Sequence, residues 1–143
     1  MAFLLDTNVI SEQTKPVPDP GVLNWLAAHA VSETYLSVVT LGEIEQGILL
    51  LGNTKRSRAY RTWLEKLERD FDGHVLEVNR AVEQTWAKIT ARALQAGKTL
   101  GYADSLIAAT GLTHGLTIVT RKDRKSTRLN SSHVSQSRMP SSA

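Results

Sequence analysis

Near its amino end the sequence reads LLDTNVIS at Leu4–Ser11, with a carboxylate directly after a strand pattern. The apolar run Phe3–Leu5 stops at Asp6, which predicts a short buried strand that ends at this residue. Apolar residues also follow the polar ones, so we expect the Asp6 carboxylate in an apolar setting. A charge there is costly unless it is paired or bound to a metal. A turn or helix-cap aspartate is the common alternative.

Strand and helix patterns alternate along the rest of the sequence. Apolar, β-branched runs predict three further strands at residues 34–39, 74–78 and 116–119, and helical patterns separate all four strands. Strands joined through helices need crossover connections, which predict an α/β fold with a central parallel sheet between two layers of helices. In such sheets, functional groups gather beyond the carboxyl ends of the strands.

The size and composition indicate one domain. The chain has 143 residues and no cysteine, which excludes disulfides, thiolate metal sites and cysteine nucleophiles. No apolar run approaches the roughly 20 residues of a membrane span, and the first residues lack the basic start of a signal peptide. We therefore expect a soluble cytoplasmic protein with its single domain at residues 1–121.

The positive net charge of +3 comes from the carboxyl-terminal tail. Residues 121–143 hold six of the 17 Lys and Arg against one acid, so residues 1–120 are slightly acidic. The tail is rich in serine and has no apolar period, which predicts a disordered basic segment over residues 122–143. Its run at 124–133 resembles read-through of a cloning adapter, so we hypothesise that the native frame ends near residues 120–122. A basic arm that binds RNA is the alternative.

Glu43 is a second candidate acid, on the helix that follows the second predicted strand. The spacing Thr40-x-x-Glu43 matches a capping box, in which the glutamate reaches back to the backbone N–H of Thr40. For Glu43 taken alone, this structural interpretation is favoured over a functional one.

Asp104 is the third candidate, and it is the only charged residue within 99–120. Its helical face continues as Ala108 and Gly111, whose small side chains allow the helix to lie close against the sheet. A carboxylate on such a helix needs a partner. Stabilisation by the helix N-terminus is the alternative explanation.

These acids, on three separate segments, are predicted to converge at one edge of the sheet. Two like charges about 4 Å apart repel by roughly 4 kcal/mol at an effective dielectric near 20, so a cation or a proton must neutralise the group. Carboxylate oxygens without Cys or paired His favour Mg²⁺ or Mn²⁺ over Zn²⁺. Such an ion lowers the pKa of a bound water and stabilises a phosphoryl oxygen.

The motifs resemble those of PIN-domain proteins, and within them the VapC and FitB-type toxins of type II bacterial toxin–antitoxin pairs. Order and spacing match across residues 2–121, on the stretches Leu5–Ser11, Leu36–Glu43, Tyr102–Thr110 and Leu116–Arg121. The resemblance implies a three-layer α/β/α sandwich and a Mg²⁺-dependent ribonuclease, a hydrolase that cleaves RNA phosphodiester bonds with metal-activated water. It also implies a homodimer and a VapB- or FitA-type antitoxin whose tail blocks the active site.

The same resemblance assigns roles to individual residues. The acids around the metal are Asp6, Glu43 and Asp104, with Asp6 and Asp104 as its direct ligands. Polar side chains that support these acids are Thr7, Asn8 and Thr120.

One departure from the family pattern concerns a fourth acid. The family places Asp or Asn after the Thr-Arg of the fourth strand, whereas this sequence has Lys122, a cation that cannot bind a metal. Asp123 follows one residue late, so its role as the fourth acid is in doubt. The closing strand of the family is also absent from the pattern. We therefore expect weaker folding and activity than in a complete relative.

Other functional classes fit the residues less well. A phosphotransferase of the haloacid-dehalogenase kind needs a second Asp two residues after Asp6, where Asn8 stands. The four histidines show no spacing suited to a metal-free ribonuclease. A non-catalytic PIN-like module that binds nucleic acid or a partner remains open, and missing metal affinity would favour it.

Overall fold

A five-stranded sheet forms the centre of the computed structural model, which describes residues 1–121 and the backbone of residues 134–138. The strands are β1 (Phe3–Leu5), β2 (Thr34–Ser37), β3 (Val75–Leu76), β4 (Thr117–Arg121) and β5 (Val134–Arg138). Their spatial order is β3-β2-β1-β4-β5, with β1 to β4 parallel and β5 antiparallel to β4. The predicted α/β fold with a central parallel sheet is confirmed.

Helices cover both faces of this sheet. They are α1 (Thr7–Ile10), α2 (Pro20–Ala28), α3 (Val38–Leu50), α4 (Lys55–Asp70), α5 (Arg80–Gln95) and α6 (Tyr102–His114). Successive residues of β1 point to opposite faces, so Phe3 and Leu5 join one buried apolar cluster while Leu4 joins the other. No helix in the described residues is long and apolar enough to cross a membrane.

The strand order creates a crevice between the carboxyl ends of β1 and β4. The chain runs from β1 outward through β2 to β3, and then returns to place β4 on the other side of β1. In an open parallel sheet, the point where the strand order reverses is where ligands bind. Asp6 directly follows β1, and Thr120 lies near the end of β4, so both residues stand at this point.

The α6 helix lies close against the sheet at Gly111, as its small residues predict. A Cβ atom built on Gly111 would lie 2.8 Å from Ile118 Cγ1 and 2.9 Å from Ile118 Cδ1. With α6 packed in this way, its first turn, which carries Asp104, lies at the edge of the sheet where β1 and β4 end.

The structure corrects the prediction that the closing strand is missing. The backbone of β5 pairs with all of β4, in a register from Thr117 opposite Arg138 to Arg121 opposite Val134. The prediction relied on the lack of apolar side chains, but pairing with an exposed edge strand needs only backbone N–H and C=O groups. The remaining positions of the predicted disordered tail, 122–133 and 139–143, lie outside the described residues.

The start of α3 also differs from the one that a capping box at Thr40 predicts. The helix begins at Val38 and not at Thr40, because the Ser37 hydroxyl accepts a hydrogen bond from Val39 N and caps it. The four-residue α1 was not predicted, since so short a helix has no apolar period to detect.

We predict that Gly111→Ala lowers the free energy of unfolding by about 1–3 kcal/mol, because the added methyl group overlaps Ile118 in a packed interior. Chemical denaturation measures the change. Gly42→Ala is the matched control, since a Cβ at this glycine of α3 meets nothing within 4 Å, and it should stabilise the protein by about 0.5–1 kcal/mol. Equal effects of the two substitutions would contradict the close helix–sheet contact.

Candidate active site

Asp6 connects the ends of β1 and β4. Its carboxylate accepts a hydrogen bond from Thr7 N at 2.8 Å, which caps α1, and another from the Thr120 hydroxyl at 2.9 Å. Its backbone N–H donates to Val119 O at 2.9 Å. Oδ1 is therefore held by the start of α1 and Oδ2 by β4.

Burial raises the pKa of the Asp6 carboxyl above its usual value. The hydrogen bonds from Thr120 and Thr7 act in the opposite direction, and the negative charge of Asp104 raises the pKa further. The described residues provide no Lys or Arg in an ion pair with Asp6, although Glu12, Asp19, Glu45 and Asp70 all have such partners. Among the described residues, the charge of Asp6 is thus stabilised by neutral donors alone.

Thr7 links Glu43 to Asp6. The Thr7 hydroxyl donates to Glu43 Oε1 at 2.6 Å, and its oxygen lies 3.0 Å from Thr40 Oγ1. Glu43 therefore does not cap α3, and the capping-box interpretation is wrong: Ser37 takes that role one turn earlier. The Glu43 side chain, which the sequence pattern assigned to the start of α3, instead contacts Thr7 of α1.

Asp104 lies exposed in the first turn of α6. A Cβ atom built on Gly101, the residue that precedes the helix, would lie 3.6 Å from Asp104 Oδ2, so the carboxylate is close to the helix N-terminus. Stabilisation by the helix N-terminus, the alternative explanation given for Asp104 from the sequence, therefore describes part of its environment. After burial, the negative charge of Asp104 nonetheless contributes to raising the pKa of the Asp6 carboxyl.

The supporting residues fall into two groups. Thr7 and Thr120 contact the acids directly. Asn8 is exposed in α1, and the described part of the chain shows no hydrogen bond from its side chain to an acid. Asp123, the doubtful fourth acid, lies outside the described residues.

The donor set suits a hard cation in an open site. Within the described residues, no three Asp, Glu or His side chains are close enough together to enclose a metal ion. Mg²⁺ does not require that, because it keeps several waters and takes only one or two carboxylates. The half-buried Asp6 carboxylate, with no cationic partner there and a second acid raising its pKa, fits such an ion.

A buried ion network next to the site was missed from the sequence. Glu12 is 1% exposed, and its carboxylate accepts from Arg121 at 2.8 Å, Lys15 at 2.9 Å and Asp19 N at 2.8 Å. Arg121 directly follows Thr120, so this network fastens the end of β4 to the segment after α1. A contact between residues 109 apart has no local signal in the sequence.

Comparison with known proteins identifies the family. The model of the PIN domain matches residues 3–130. The chain belongs to the PIN domain family. This PIN domain is 38% identical over 123 residues to Toxin FitB of Neisseria gonorrhoeae, covering 83% of this chain and 86% of that protein. It is 37% identical over 120 residues to VapC ribonuclease Y4jK of Sinorhizobium fredii, with the same coverage.

Solved structures agree with this assignment. The PIN domain matches the crystal structure of FitAcB from Neisseria gonorrhoeae with a TM-score of 0.78 and 38% identity, over 84% of this chain and 87% of that one. VapBC2 from Rickettsia felis, bound to a DNA fragment, matches with a TM-score of 0.70 over 90% and 92% of the two chains. At 19% identity, the second match shows the fold alone.

We predict that Asp6→Asn stabilises the metal-free PIN domain at neutral pH. The folded-state pKa of Asp6 is raised, so its favourable contribution is present at low pH and is lost as the pH rises through that pKa. Asparagine still caps α1 without the charge. Melting temperatures in EDTA should therefore be higher for the variant at neutral pH, with a gap that closes toward acidic pH.

The control for this measurement is Asp70→Asn, an exposed acid paired with Lys66. It should change stability by no more than about 0.5 kcal/mol. A variant Asp6→Asn that melts below the parent at neutral pH would show that the carboxylate is better compensated than these contacts indicate.

We also predict that Arg121→Met costs about 2 kcal/mol, because Glu12 is buried and loses a charged partner while Lys15 remains. Urea unfolding of the parent, of Arg121→Met, of Glu12→Gln and of the double variant gives the coupling energy. The two single effects should not add. Additive effects would mean that the two side chains act independently.

Proposed function

We propose that this chain is a divalent-metal-dependent endoribonuclease and the toxin of a type II toxin–antitoxin pair. The observation that carries the proposal is the hydrogen bond from Thr7 to Glu43. It joins Glu43 to the Asp6 carboxylate, which has no ion pair among the described residues, at the switch point of the sheet. Relatives at 38% and 37% identity are named a toxin and a ribonuclease, which supports the same activity here.

Asp6 and Asp104 are the residues that would hold Mg²⁺, or Mn²⁺ in its place. When bound, the ion would supply a Lewis acid for a phosphoryl oxygen and lower the pKa of a water molecule. The Thr120 hydroxyl orients the Asp6 carboxylate through its hydrogen bond to Oδ2. Supporting contacts of this kind set the direction of a ligand's oxygens.

Glu43 acts on the attacking water in this proposal. Thr7 occupies Oε1, and the described residues provide no partner for Oε2, which is left to accept a proton. Because the Thr7 hydroxyl fixes one oxygen, the other keeps a defined direction. The substrate is an RNA phosphodiester, whose hydrolysis needs the water in line with the bond that breaks.

The partners follow from the solved relatives. The structure of FitAB bound to a DNA fragment is 36% identical to this chain, with a TM-score of 0.76. We therefore extend the proposal to a cognate antitoxin of the FitA or VapB type that blocks the site, and to a homodimer of the toxin. Co-purification with the product of a small neighbouring gene tests the antitoxin.

A non-catalytic PIN-like module that binds nucleic acid or a partner is the second candidate. The observation in its favour is that the acids of the described residues do not enclose an ion by themselves. Metal affinity separates the two functions, since a ligand that binds only the folded state raises the melting temperature.

We predict that the protein cuts RNA in Mg²⁺ and not in EDTA, and that Glu43→Gln slows cleavage about 10²–10⁴-fold through loss of the general base. Asp6→Asn and Asp104→Asn should also abolish cleavage, and Mg²⁺ should raise the melting temperature of the parent but not of Asp6→Asn. Gel analysis of mixed tRNA and mRNA measures the activity. Asp70→Asn should cut like the parent.

Two outcomes would contradict the proposal. Cleavage that persists in EDTA would remove the metal from the reaction. Cleavage by folded Asp6→Asn and Asp104→Asn at the rate of the parent would remove these acids from the site, and a Mg²⁺ effect without cleavage would favour the binding module.

A further inference from the structure

A groove of about 300 Å³ opens next to Thr7 and Glu43. It lies between α3 and α4, and Ile44 and Ile48 of α3 form its apolar floor. Tyr60 and Trp63 of α4 add aromatic rings. One end of the groove therefore lies at the candidate active site, and apolar and aromatic side chains form much of the rest of its lining.

Arg56 supplies the positive charge of the groove. Its guanidinium carbon lies 5.4 Å from the centroid of the Tyr60 ring, and Nη2 is 3.4 Å from the Tyr60 hydroxyl. The described residues offer Arg56 no carboxylate within salt-bridge distance, whereas Arg61 on the same helix is paired with Glu45. Arg56 is the cation in this lining that is available to an anionic ligand.

Gly47 keeps the groove open. It lies inside α3, where glycine weakens the helix, and a Cβ atom at this position would meet nothing within 4 Å. The protein itself would therefore accept a larger side chain here. A larger side chain at residue 47 would instead fill the groove and exclude its ligand.

We propose that this groove binds one unstacked nucleobase of single-stranded RNA beside the phosphodiester that is cut. The base packs against Tyr60 and Trp63, and Arg56 contacts a phosphate of the same strand. Aromatic rings with an adjacent arginine are the usual means of holding single-stranded nucleic acid. This inference rests on the proposed ribonuclease function and adds the subsite that selects where RNA is cut.

The position of the groove favours RNA over an apolar peptide. Its lining includes Glu43, so an occupant lies directly beside the proposed reaction. Its cation, Arg56, has no carboxylate in salt-bridge distance among the described residues, and a phosphate would complement it. A chain of nucleotides with one phosphate at Asp6 and Glu43 must place the neighbouring base on an adjoining surface, and this groove adjoins them.

The first experiment pairs groove variants with abasic RNA. Short RNAs around a mapped cut are made with an abasic residue at each position in turn, and kcat/KM is measured. An abasic residue at one position beside the cut should lower kcat/KM about 10-fold, within the range that stacking on an aromatic side chain supplies. Gly47→Leu and Tyr60→Leu should lower kcat/KM on normal RNA by a similar factor. On the abasic RNA, their kcat/KM should fall no further.

Gly42→Leu is the matched control. This glycine lies in the same helix, also has open space around it, and is absent from the groove lining. It should keep both the rate and the abasic penalty of the parent. Melting temperatures establish that all variants are folded, and Gly47→Leu should melt no lower than the parent because leucine favours a helix.

The second experiment measures binding without cleavage. Asp6→Asn is mixed with RNA that carries 2-aminopurine at successive positions, and stacking on Tyr60 or Trp63 should quench its fluorescence at one position. Introducing Gly47→Leu into the Asp6→Asn protein should remove the quenching, whereas introducing Gly42→Leu should not.

These readouts separate the possible failures. If the parent cuts no RNA, the proposed function fails, and the 2-aminopurine assay still decides the subsite, since no quenching at any position overturns it. If Gly47→Leu cuts RNA with the rate and abasic penalty of the parent, the inference is wrong. The same holds if that variant keeps cleavage but loses neutralisation by its antitoxin, because the groove then belongs to a protein partner.

Discussion

A half-buried carboxylate, that of Asp6, lies where β1 and β4 end, and the rest of the site depends on how it is held. In the described residues, the Asp6 carboxylate has hydrogen bonds from Thr7 and Thr120 but no cationic partner. These bonds do not outweigh burial, because the pKa of Asp6 stays above its usual value. The fold therefore keeps an electrostatic cost at this point, which a bound cation would relieve. A site that binds a cation is commonly destabilising without it.

The short α1 helix links the positions of Asp6 and Glu43, two of the three candidate acids. Asp6 caps this helix, and Thr7, its first residue, donates to Glu43 on α3. The far end of the same segment is tied to β4 through Glu12 and Arg121. A shift of α1 would therefore change the direction of both carboxylates at once. The ion network has a role in the geometry of the site although none of its residues contacts Asp6 or Glu43 in the described structure.

The sequence pattern predicted the elements whose formation depends on residues that are close together in the chain. The buried β1, the carboxylate at its end and the close approach of α6 at Gly111 all follow from apolar runs and side-chain size. Glu43 shows the limit, since its spacing from Thr40 fits a helix cap equally well until Ser37 is seen to take that role. The pairing of Glu12 with Arg121 and of β5 with β4 depends on which distant segments meet, and nothing within a few residues encodes it.

The charge distribution limits how this protein could bind RNA. Residues 1–120 are slightly acidic, and the site itself collects carboxylates, so long-range attraction to a polyanion does not come from this part of the chain. Within residues 1–120, affinity for RNA must then come from local contacts. Divalent ions at Asp6 and Asp104 would remove the repulsion at the cut phosphate, and Arg56 with the rings of Tyr60 and Trp63 would hold the adjoining nucleotide. If residues 1–120 cut RNA in this way, they have few sequence-independent contacts with it, so the nucleotide beside the cut would contribute a larger share of their binding energy and selectivity.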